Sequence, residues 1–174
     1  MRRVRYGVAM SLDGYIAGPS GESDWIVHDP DVDFNEIFRR FDTLLIGRRT
    51  FEAMLQMGRG GGSMPGVKSF VISRTMKQAD HADVTITGDA EALVTDLKAE
   101  PGKDIWLFGG GELFRSLLGA GLVDGVDVAV VPVLLGGGIP LLPPPAERTD
   151  LTLKSRRVYE NSGIVSMDYD LRRD

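Results

Sequence analysis

The 174-residue sequence contains no cysteine, only two histidines, and no apolar run of the length that crosses a membrane. The lack of cysteine excludes disulfides, thiol nucleophiles and thiolate metal sites. His28 and His81 have no carboxylates at metal-ligand spacing, so we expect no metal site. The N-terminus enters a strand pattern without the apolar core of a signal peptide, and we expect a cytoplasmic protein that binds no membrane.

The sequence also lacks an excess of positive charge. The sequence has 20 Lys and Arg against 25 Asp and Glu, a formal net charge of -5. A net negative charge is unfavourable for binding the phosphate backbone of a nucleic acid. We therefore expect no nucleic-acid partner and only a local anion site. With 43% hydrophobic and 26% charged residues, the composition is typical of a folded globular protein. The length predicts one domain, residues 1–174.

The hydrophobic pattern predicts an α/β fold. Strands are predicted at Val4 to Met10, Thr43 to Ile46, Lys68 to Ile72, Val84 to Ile86, Ile105 to Phe108, Val126 to Val131, Leu151 to Tyr159 and Ile164 to Leu171. Helical spacing is found in Phe34, Ile37, Phe38 and Phe41, in Phe51, Met54 and Leu55, in Leu93, Val94 and Leu97 after an Asp89 cap, and in Leu113, Phe114, Leu117 and Leu118. Helices that alternate with strands, followed by a final hairpin, predict a mixed sheet that is mainly parallel with an antiparallel C-terminal edge. Gly58 to Gly66 is predicted to be a flexible surface connection, because it lacks the Gly-Lys-Ser/Thr ending of a P-loop.

Three predicted strands end in residues that suit an anionic ligand. They are followed by Gly47-Arg48-Arg49-Thr50, Ser73-Arg74-Thr75 and Gly109-Gly110-Gly111-Glu112. Each glycine turn is either a plain connection or a place where a ligand approaches the backbone, with free helix N–H groups and arginines for a phosphate. Because ligands of open α/β sheets bind at the carboxyl ends of strands, we expect one crevice that fits a phosphorylated nucleotide. A Rossmann fingerprint is disfavoured, since Phe114 stands where its third glycine would be.

The segment between the first strand and the first helix is the candidate substrate side. Ser11 to Gly18 keeps three large apolar residues, which indicates either a plug over the sheet end or a mobile flap over a ligand. Asp29, Asp31 and Asp33 precede the first helix, and capping its positive end explains most of them. One of them facing a cleft would instead be a candidate proton donor.

Five segments, in order, resemble the dihydrofolate-reductase-like superfamily: Ser11 to Ala17, Gly47 to Phe51, Val71 to Thr75, Leu107 to Leu113 and Pro132 to Gly136. The sequence is most similar to the reductase domain of bifunctional riboflavin-biosynthesis deaminase-reductases, and the resemblance covers nearly the whole chain. It implies a three-layer α/β/α domain on a mixed sheet, hydride transfer from NADPH to a small-molecule substrate, and a homodimer. The apolar, proline-rich Leu134 to Pro145 stretch is a candidate dimer interface.

The resemblance also implies roles for individual residues. Gly47, Arg48 and Thr50 would contact the cofactor phosphates, and Ser73 and Arg74 the adenosine 2′-phosphate, which favours NADPH over NADH. The pyrophosphate and nicotinamide side would be held by Phe108, Gly109, Gly110, Gly111, Glu112, Leu113 and Phe114, with Ala9 and Ile16 flanking the nicotinamide. A cis peptide is implied between Gly109 and Gly110.

The substrate side carries less of the resemblance. Asp13 or Asp33 would supply or relay a proton, with Asp33 preferred, and Trp25 is the expected substrate contact. The first functional hypothesis is an NADPH-dependent reductase of the 5-amino-6-(5-phosphoribosylamino)uracil reductase type. A dihydrofolate reductase is the alternative, and a nucleotide-binding protein without turnover is the third.

Overall fold

The computed structural model describes residues 1–58 and 66–172, which form ten strands and four α-helices. The strands are β1 (Val4–Ser11), β2 (Tyr15–Ala17), β3 (Phe41–Gly47), β4 (Lys68–Ile72), β5 (Thr85–Thr87), β6 (Asp104–Gly109), β7 (Gly125–Val131), β8 (Ile139–Pro140), β9 (Leu151–Tyr159) and β10 (Ile164–Leu171). The helices are α1 (Phe34–Arg39), α2 (Arg48–Gln56), α3 (Ala90–Ala99) and α4 (Gly111–Gly119), with a 3₁₀ turn at Gln78–Asp80. None of the helices in these two ranges is long and apolar enough to cross a membrane.

Eight of the strands form one mixed sheet in the order β5-β4-β3-β6-β1-β7-β10-β9. The first six in this order pair in parallel. β10 pairs antiparallel with β7, and β9 pairs antiparallel with β10 as a hairpin. The predicted sheet, parallel in its body and antiparallel at its C-terminal edge, is therefore confirmed. Two short strands, β2 and β8, pair separately.

Alternating residues of the central strands send their side chains to two cores, one on each face of the sheet. On β3, Leu45 belongs to the core formed with α3 and α4, whereas Leu44 and Ile46 belong to the core formed with α2. The α1 helix lies on the α2 side, because Phe38 packs on Trp106 with ring centroids 5.7 Å apart. The helices thus cover both faces, as a three-layer α/β/α fold requires.

Two local predictions are wrong. Phe41 was placed on the first helix, but α1 ends at Arg39 and Phe41 begins β3, where it pairs with Asp104 and stacks on Trp106 at 5.3 Å. Its helical spacing is a coincidence that the sheet overrides. The loop from Ser11 to Gly18 contains β2, a strand too short to show periodicity. Of the predicted connection Gly58 to Gly66, residues 59–65 lie outside the described residues.

Candidate functional site

One cleft runs along the carboxyl ends of the parallel strands. The strand order places the ends of β4, β3, β6 and β1 side by side. The three segments that were predicted to converge therefore meet in one cleft, which encloses about 1930 Å³. The predicted cofactor residues that line it are Ala9, Ile16, Gly47, Arg48, Thr50, Ser73, Arg74, Phe108, Gly109, Gly110, Gly111, Glu112 and Leu113.

The cleft has two parts. We call the part formed by residues 47–50, 73–75 and 109–113 the glycine arm. The other part lies on the sheet face below α1, and we call it the charged arm, defined by Gly7, Arg40, Trp106, Asp127 and Asp168. Ala9, on β1, lines the cleft two residues beyond Gly7.

Two helices begin at the glycine arm without a side-chain cap. Gly47 precedes α2 and Gly110 precedes α4, and neither can supply a capping side chain. By contrast, α1 and α3 begin at Asp33 and Asp89, whose carboxylates accept backbone N–H groups of their own helices. The first N–H groups of a helix point outward at its positive dipole end. The starts of α2 and α4 therefore offer two sets of donors to an anion in one cleft.

The glycines of this arm lie in close contact with other atoms of the protein. A Cβ at Gly47 would lie 3.2 Å from the carbonyl oxygen of Gly109, and a Cβ at Gly109 would lie 3.1 Å from Oγ1 of Thr50. At Gly111 a Cβ would lie 2.9 Å from the carbonyl oxygen of Pro140. Because the protein's own atoms occupy these positions, close packing of the chain is a further reason for the glycines. This reason was not predicted from the sequence. The peptide between Gly109 and Gly110 is cis, as the resemblance implied.

Three arginines give the glycine arm its positive charge, and Arg49 is exposed at the start of α2. Arg48 pairs along α2 with Glu52, at 2.9 Å from Nη1 to Oε1. Arg74 is exposed at the edge of the cleft, and its side chain passes over Gly88, where a Cβ would come within 3.2 Å of Cγ. Ser73 is buried, and its hydroxyl accepts the N–H groups of Thr75 and Met76 at 3.2 and 3.0 Å. Ser73 thereby closes the turn that presents Arg74 to the cleft.

Phe114 is the one predicted cofactor residue that the structure places elsewhere. It is buried in the α3 and α4 core, where it stacks on Tyr6 with ring centroids 4.0 Å apart. Position 114 lies one helical turn beyond Gly110, and its side chain points to the sheet rather than the cleft. Its role is to pack the start of α4 against β1.

Asp13 closes the loop around β2 rather than lining the cleft. Its carboxylate accepts the hydroxyl of Ser11 at 2.7 Å and the N–H groups of Leu135 and Gly136 at 3.1 and 2.7 Å. The hydrogen bond from Ser11, followed by that from Gly136, lowers the pKa of Asp13 below its usual value. These contacts favour a carboxylate that joins two loops over a carboxylic acid that donates a proton.

Asp33 and Trp25 also have local contacts in place of the expected ones. Asp33 caps α1 by accepting the N–H groups of Asn35 and Glu36 at 2.9 and 3.2 Å. The indole N–H of Trp25 donates to the carbonyl of Glu22, and the ring packs against a small core near the hairpin. Neither residue is among those that line the cleft. Capping was the alternative for Asp33, and the structure supports it.

The sequence reasoning missed the charged arm. Its residues carry no motif, because Arg40 follows a short helix and Trp106 lies within a strand. Asp127 is the one charged residue of β7, and Asp168 shares β10 with Asp170. A charged residue inside an otherwise apolar strand is the one signal that would have identified Asp127. Burial raises the pKa of the Asp127 carboxyl group, and hydrogen bonds from Arg5 oppose that rise.

Comparisons with known proteins identify a matching family and two similar sequences. The family model described as the RibD C-terminal domain matches residues 2–165. Two uncharacterized proteins of Bacillus subtilis strain 168 are similar in sequence. YyaP is 34% identical over 178 residues, which cover 97% of this chain and 94% of YyaP. YwjB is 30% identical over 162 residues, which cover 91% of this chain and 92% of YwjB.

Solved structures share the fold. A presumptive riboflavin biosynthesis protein from Shewanella sp. PV-4 has a TM-score of 0.81 and 28% identity, covering 99% of this chain and all of that one. A pyrimidine reductase-like protein from Corynebacterium diphtheriae has a TM-score of 0.68 and 17% identity, over 99% and 93% of the two chains. Dihydrofolate reductase from Enterococcus faecalis, complexed with NADP(H), has a TM-score of 0.70 and 18% identity, over 98% and 97%. The fold is thus dihydrofolate-reductase-like.

Proposed function

We propose that this chain, which belongs to the RibD C-terminal domain family, is an NADPH-dependent reductase of the riboflavin-biosynthesis type. The observation that carries the proposal is the glycine arm, where two uncapped helices begin beside an exposed arginine. Two sets of backbone donors suit a pyrophosphate, and a separate cation suits a further phosphate. A dinucleotide with a 2′-phosphate has both groups.

The residues present fit this cofactor. The backbone at Arg48 and Thr50 and the start of α4 would hold the pyrophosphate, and Arg74 the 2′-phosphate. Ala9 and Ile16 would leave room for a flat ring at the end of β1, since one is small and both line the cleft. NADPH, when bound there, supplies the hydride. The protein's part is to orient the ring and exclude water from it.

Substrate choice would lie with the charged arm. We propose a small heterocycle of the pyrimidine type, in line with the name of the Corynebacterium pyrimidine reductase-like protein. Dihydrofolate reductase remains the alternative, because the Enterococcus enzyme shares the fold. We propose that residues 1–174 act as one cytoplasmic reductase domain.

We further propose a homodimer. Leu12 and Leu134 are the most exposed leucines of the described chain, at 64% and 70%, and they lie on adjoining loops. The edge strand β9 adds exposed Leu151, Leu153 and Val158. Scattered exposed leucines are ordinary, but Leu12 and Leu134 lie on loops joined by the hydrogen bond from the Leu12 N–H to the Val133 carbonyl, and such a pair favours an interface. Light scattering after size exclusion tests this, and a monomer mass across micromolar concentrations would contradict it.

The function is tested by binding and turnover in one series. NADPH should bind with micromolar or better affinity, measured by calorimetry and by quenching of tryptophan emission, and NADH should bind at least tenfold more weakly. Oxidation of NADPH at 340 nm with the ribosylaminopyrimidine but not with dihydrofolate supports the first hypothesis, and the reverse supports the alternative. Binding without oxidation by either substrate would leave the non-catalytic nucleotide-binding protein. Absence of NADPH binding would exclude all three.

A further inference from the structure

The charged arm has an aromatic floor that depends on one glycine. Trp106 lies across β1 at Gly7, and its indole N–H donates to the Gly7 carbonyl at 3.0 Å. A Cβ at Gly7 would overlap the indole at Nε1. Phe108 meets Trp106 edge to face at 5.3 Å, and Phe41 stacks on it at 5.3 Å. The indole is therefore fixed as a flat surface in the cleft, next to the strand that carries Ala9.

Asp127 lies beside this floor and is held in place by Arg5. Gly7 and Asp127 are partners across β1 and β7. The Arg5 guanidinium donates from Nε to both carboxylate oxygens, at 3.0 and 2.8 Å, and a contact from Nη2 to Oδ1 completes the clamp. Both side chains are largely buried. Such a clamp fixes one carboxylate orientation and leaves the Oδ2 side for a further donor.

Arg40 supplies that donor from the other wall. Its Nη2 lies 3.3 Å from Oδ2 of Asp127, and its Nη1 lies 3.7 Å from Oδ2 of Asp168. Its guanidinium lies over the Phe41 ring, 5.4 Å from the centroid. The side chain is 41% exposed, so most of its five N–H donors remain available. The charged arm thus presents a carboxylate acceptor and a guanidinium donor side by side.

We propose that Asp127 and Arg40 recognise the N–H and C=O edge of a cyclic amide in the substrate ring. An N–H of the ring donates to Oδ2 of Asp127 in place of the 3.3 Å contact from Arg40, the adjacent carbonyl accepts from Arg40, and the ring rests on Trp106. The inference rests on the proposed function for its reaction, and it names the feature of the substrate that this site selects. Asp127 is two strand residues from Ala129, the partner of Ala9, which is about 6–7 Å. This separation suits a heterocycle whose reacting atom faces Ala9 and whose amide edge faces Asp127.

The test compares two probes that differ only in N-methylation, 5,6-diaminouracil and its 1,3-dimethyl derivative. Binding is measured by calorimetry, with and without saturating NADP⁺. The wild type should prefer the unmethylated probe by about tenfold or more, because methylation removes the donors and leaves Asp127 unmatched. Arg40→Gln should reduce this preference to less than about threefold. The matched control is Arg39→Gln, since Arg39 pairs at 3.7 Å with Asp33 outside the cleft, and it should keep the wild-type preference.

Equal binding of the two probes to the wild type would overturn the proposal, and so would a full preference in Arg40→Gln. Asp127→Asn replaces one acceptor oxygen with an NH2 donor and removes the negative charge, so it should lower the preference in the same way, provided that circular dichroism shows a folded variant. NADPH affinity should be unchanged in Arg40→Gln, because the glycine arm is intact. If the wild type did not bind NADPH, the proposed function would be refuted. The preference between the two probes, measured without cofactor, would still test the charged arm.

Discussion

The two arms of the cleft are built in different ways. The glycine arm consists of three short segments that each follow a strand directly, so neighbours in the chain are neighbours in the site. The charged arm joins Arg40 to Asp127 across 87 positions and Arg5 to Asp127 across 122. The strand order brings both arms together, but each segment of the glycine arm has a local pattern, whereas the contacts of the charged arm have none. The difference explains why the proposed cofactor site is easier to recognise in the sequence than the proposed substrate site.

The largest expected effect is a difference in the free energy of unfolding between variants of the two arms. Asp127→Ala would leave the buried Arg5 guanidinium with the Asp170 carboxylate at 3.0 Å and the Tyr169 carbonyl at 3.2 Å, and we expect it to lower the free energy of unfolding by about 3 kcal/mol, at the low end for a broken buried ion pair. Glu52→Ala removes the half-exposed partner of Arg48 in the glycine arm, and we expect a change within about 0.5 kcal/mol. Urea denaturation measures both. Similar losses in the two variants would show that the arms do not differ in this respect.

The next effect concerns the cofactor alone. Arg74→Ala should weaken NADPH binding by about tenfold or more, since a hydrogen bond to a charged group contributes roughly 1.5–3 kcal/mol. NADH lacks the 2′-phosphate, so its affinity should change by less than about twofold. Calorimetry on the same protein sample supplies the comparison. Equal losses for both nucleotides would remove Arg74 from the 2′-phosphate site.

The packing of the glycine arm predicts a contrast within one helix. Gly111→Ala at the start of α4 places a Cβ 2.9 Å from the Pro140 carbonyl, and overpacking of this kind costs about 1–3 kcal/mol. Gly119→Ala, at the end of α4, meets no atom within 4 Å and should be neutral or stabilising by up to about 1 kcal/mol. Thermal unfolding distinguishes them. A neutral Gly111→Ala would assign that glycine to ligand access alone.

The smallest effect concerns Asp13 and depends on pH. Because hydrogen bonds hold its pKa below the ordinary 3.8, its contribution to stability is present above pH 3.8 and is lost as the pH falls through the lowered pKa. Asp13→Asn should therefore lower Tm slightly at pH 7 and show no difference once the carboxyl group is protonated.

Turnover by Asp13→Asn gives the complementary result. A residue that joins two loops should leave kcat within a few-fold of the wild type at pH 7. Loss of a general acid would reduce it by about 10²–10⁴-fold. A reduction of that size, with Tm unchanged, would restore Asp13 as a proton donor.

The sequence predicted the fold because each long strand and helix has its own periodicity, and the strand ends carried glycine and arginine. Phe41 was misplaced because a side chain that packs on Trp106 from the sheet falls by coincidence at helical spacing from Phe34, Ile37 and Phe38. Asp33 and Asp13 were considered as acids because a carboxylate next to a turn gives the same pattern whether it caps a helix, joins loops or faces a ligand. Asp127 was missed because its partners, Arg5 and Arg40, are brought to it only by the parallel pairing of β1 and β7 and the position of α1.

The central claim is that the starts of α2 and α4 hold the pyrophosphate of NADPH while Arg74 holds its 2′-phosphate. A crystal structure of the protein with NADPH tests it most directly. We expect pyrophosphate oxygens within hydrogen-bond distance of backbone N–H groups in residues 48–50 and 111–113, with the nicotinamide between Ala9 and Ile16. A pyrophosphate bound away from both helix starts, or a nicotinamide outside the cleft, would contradict it.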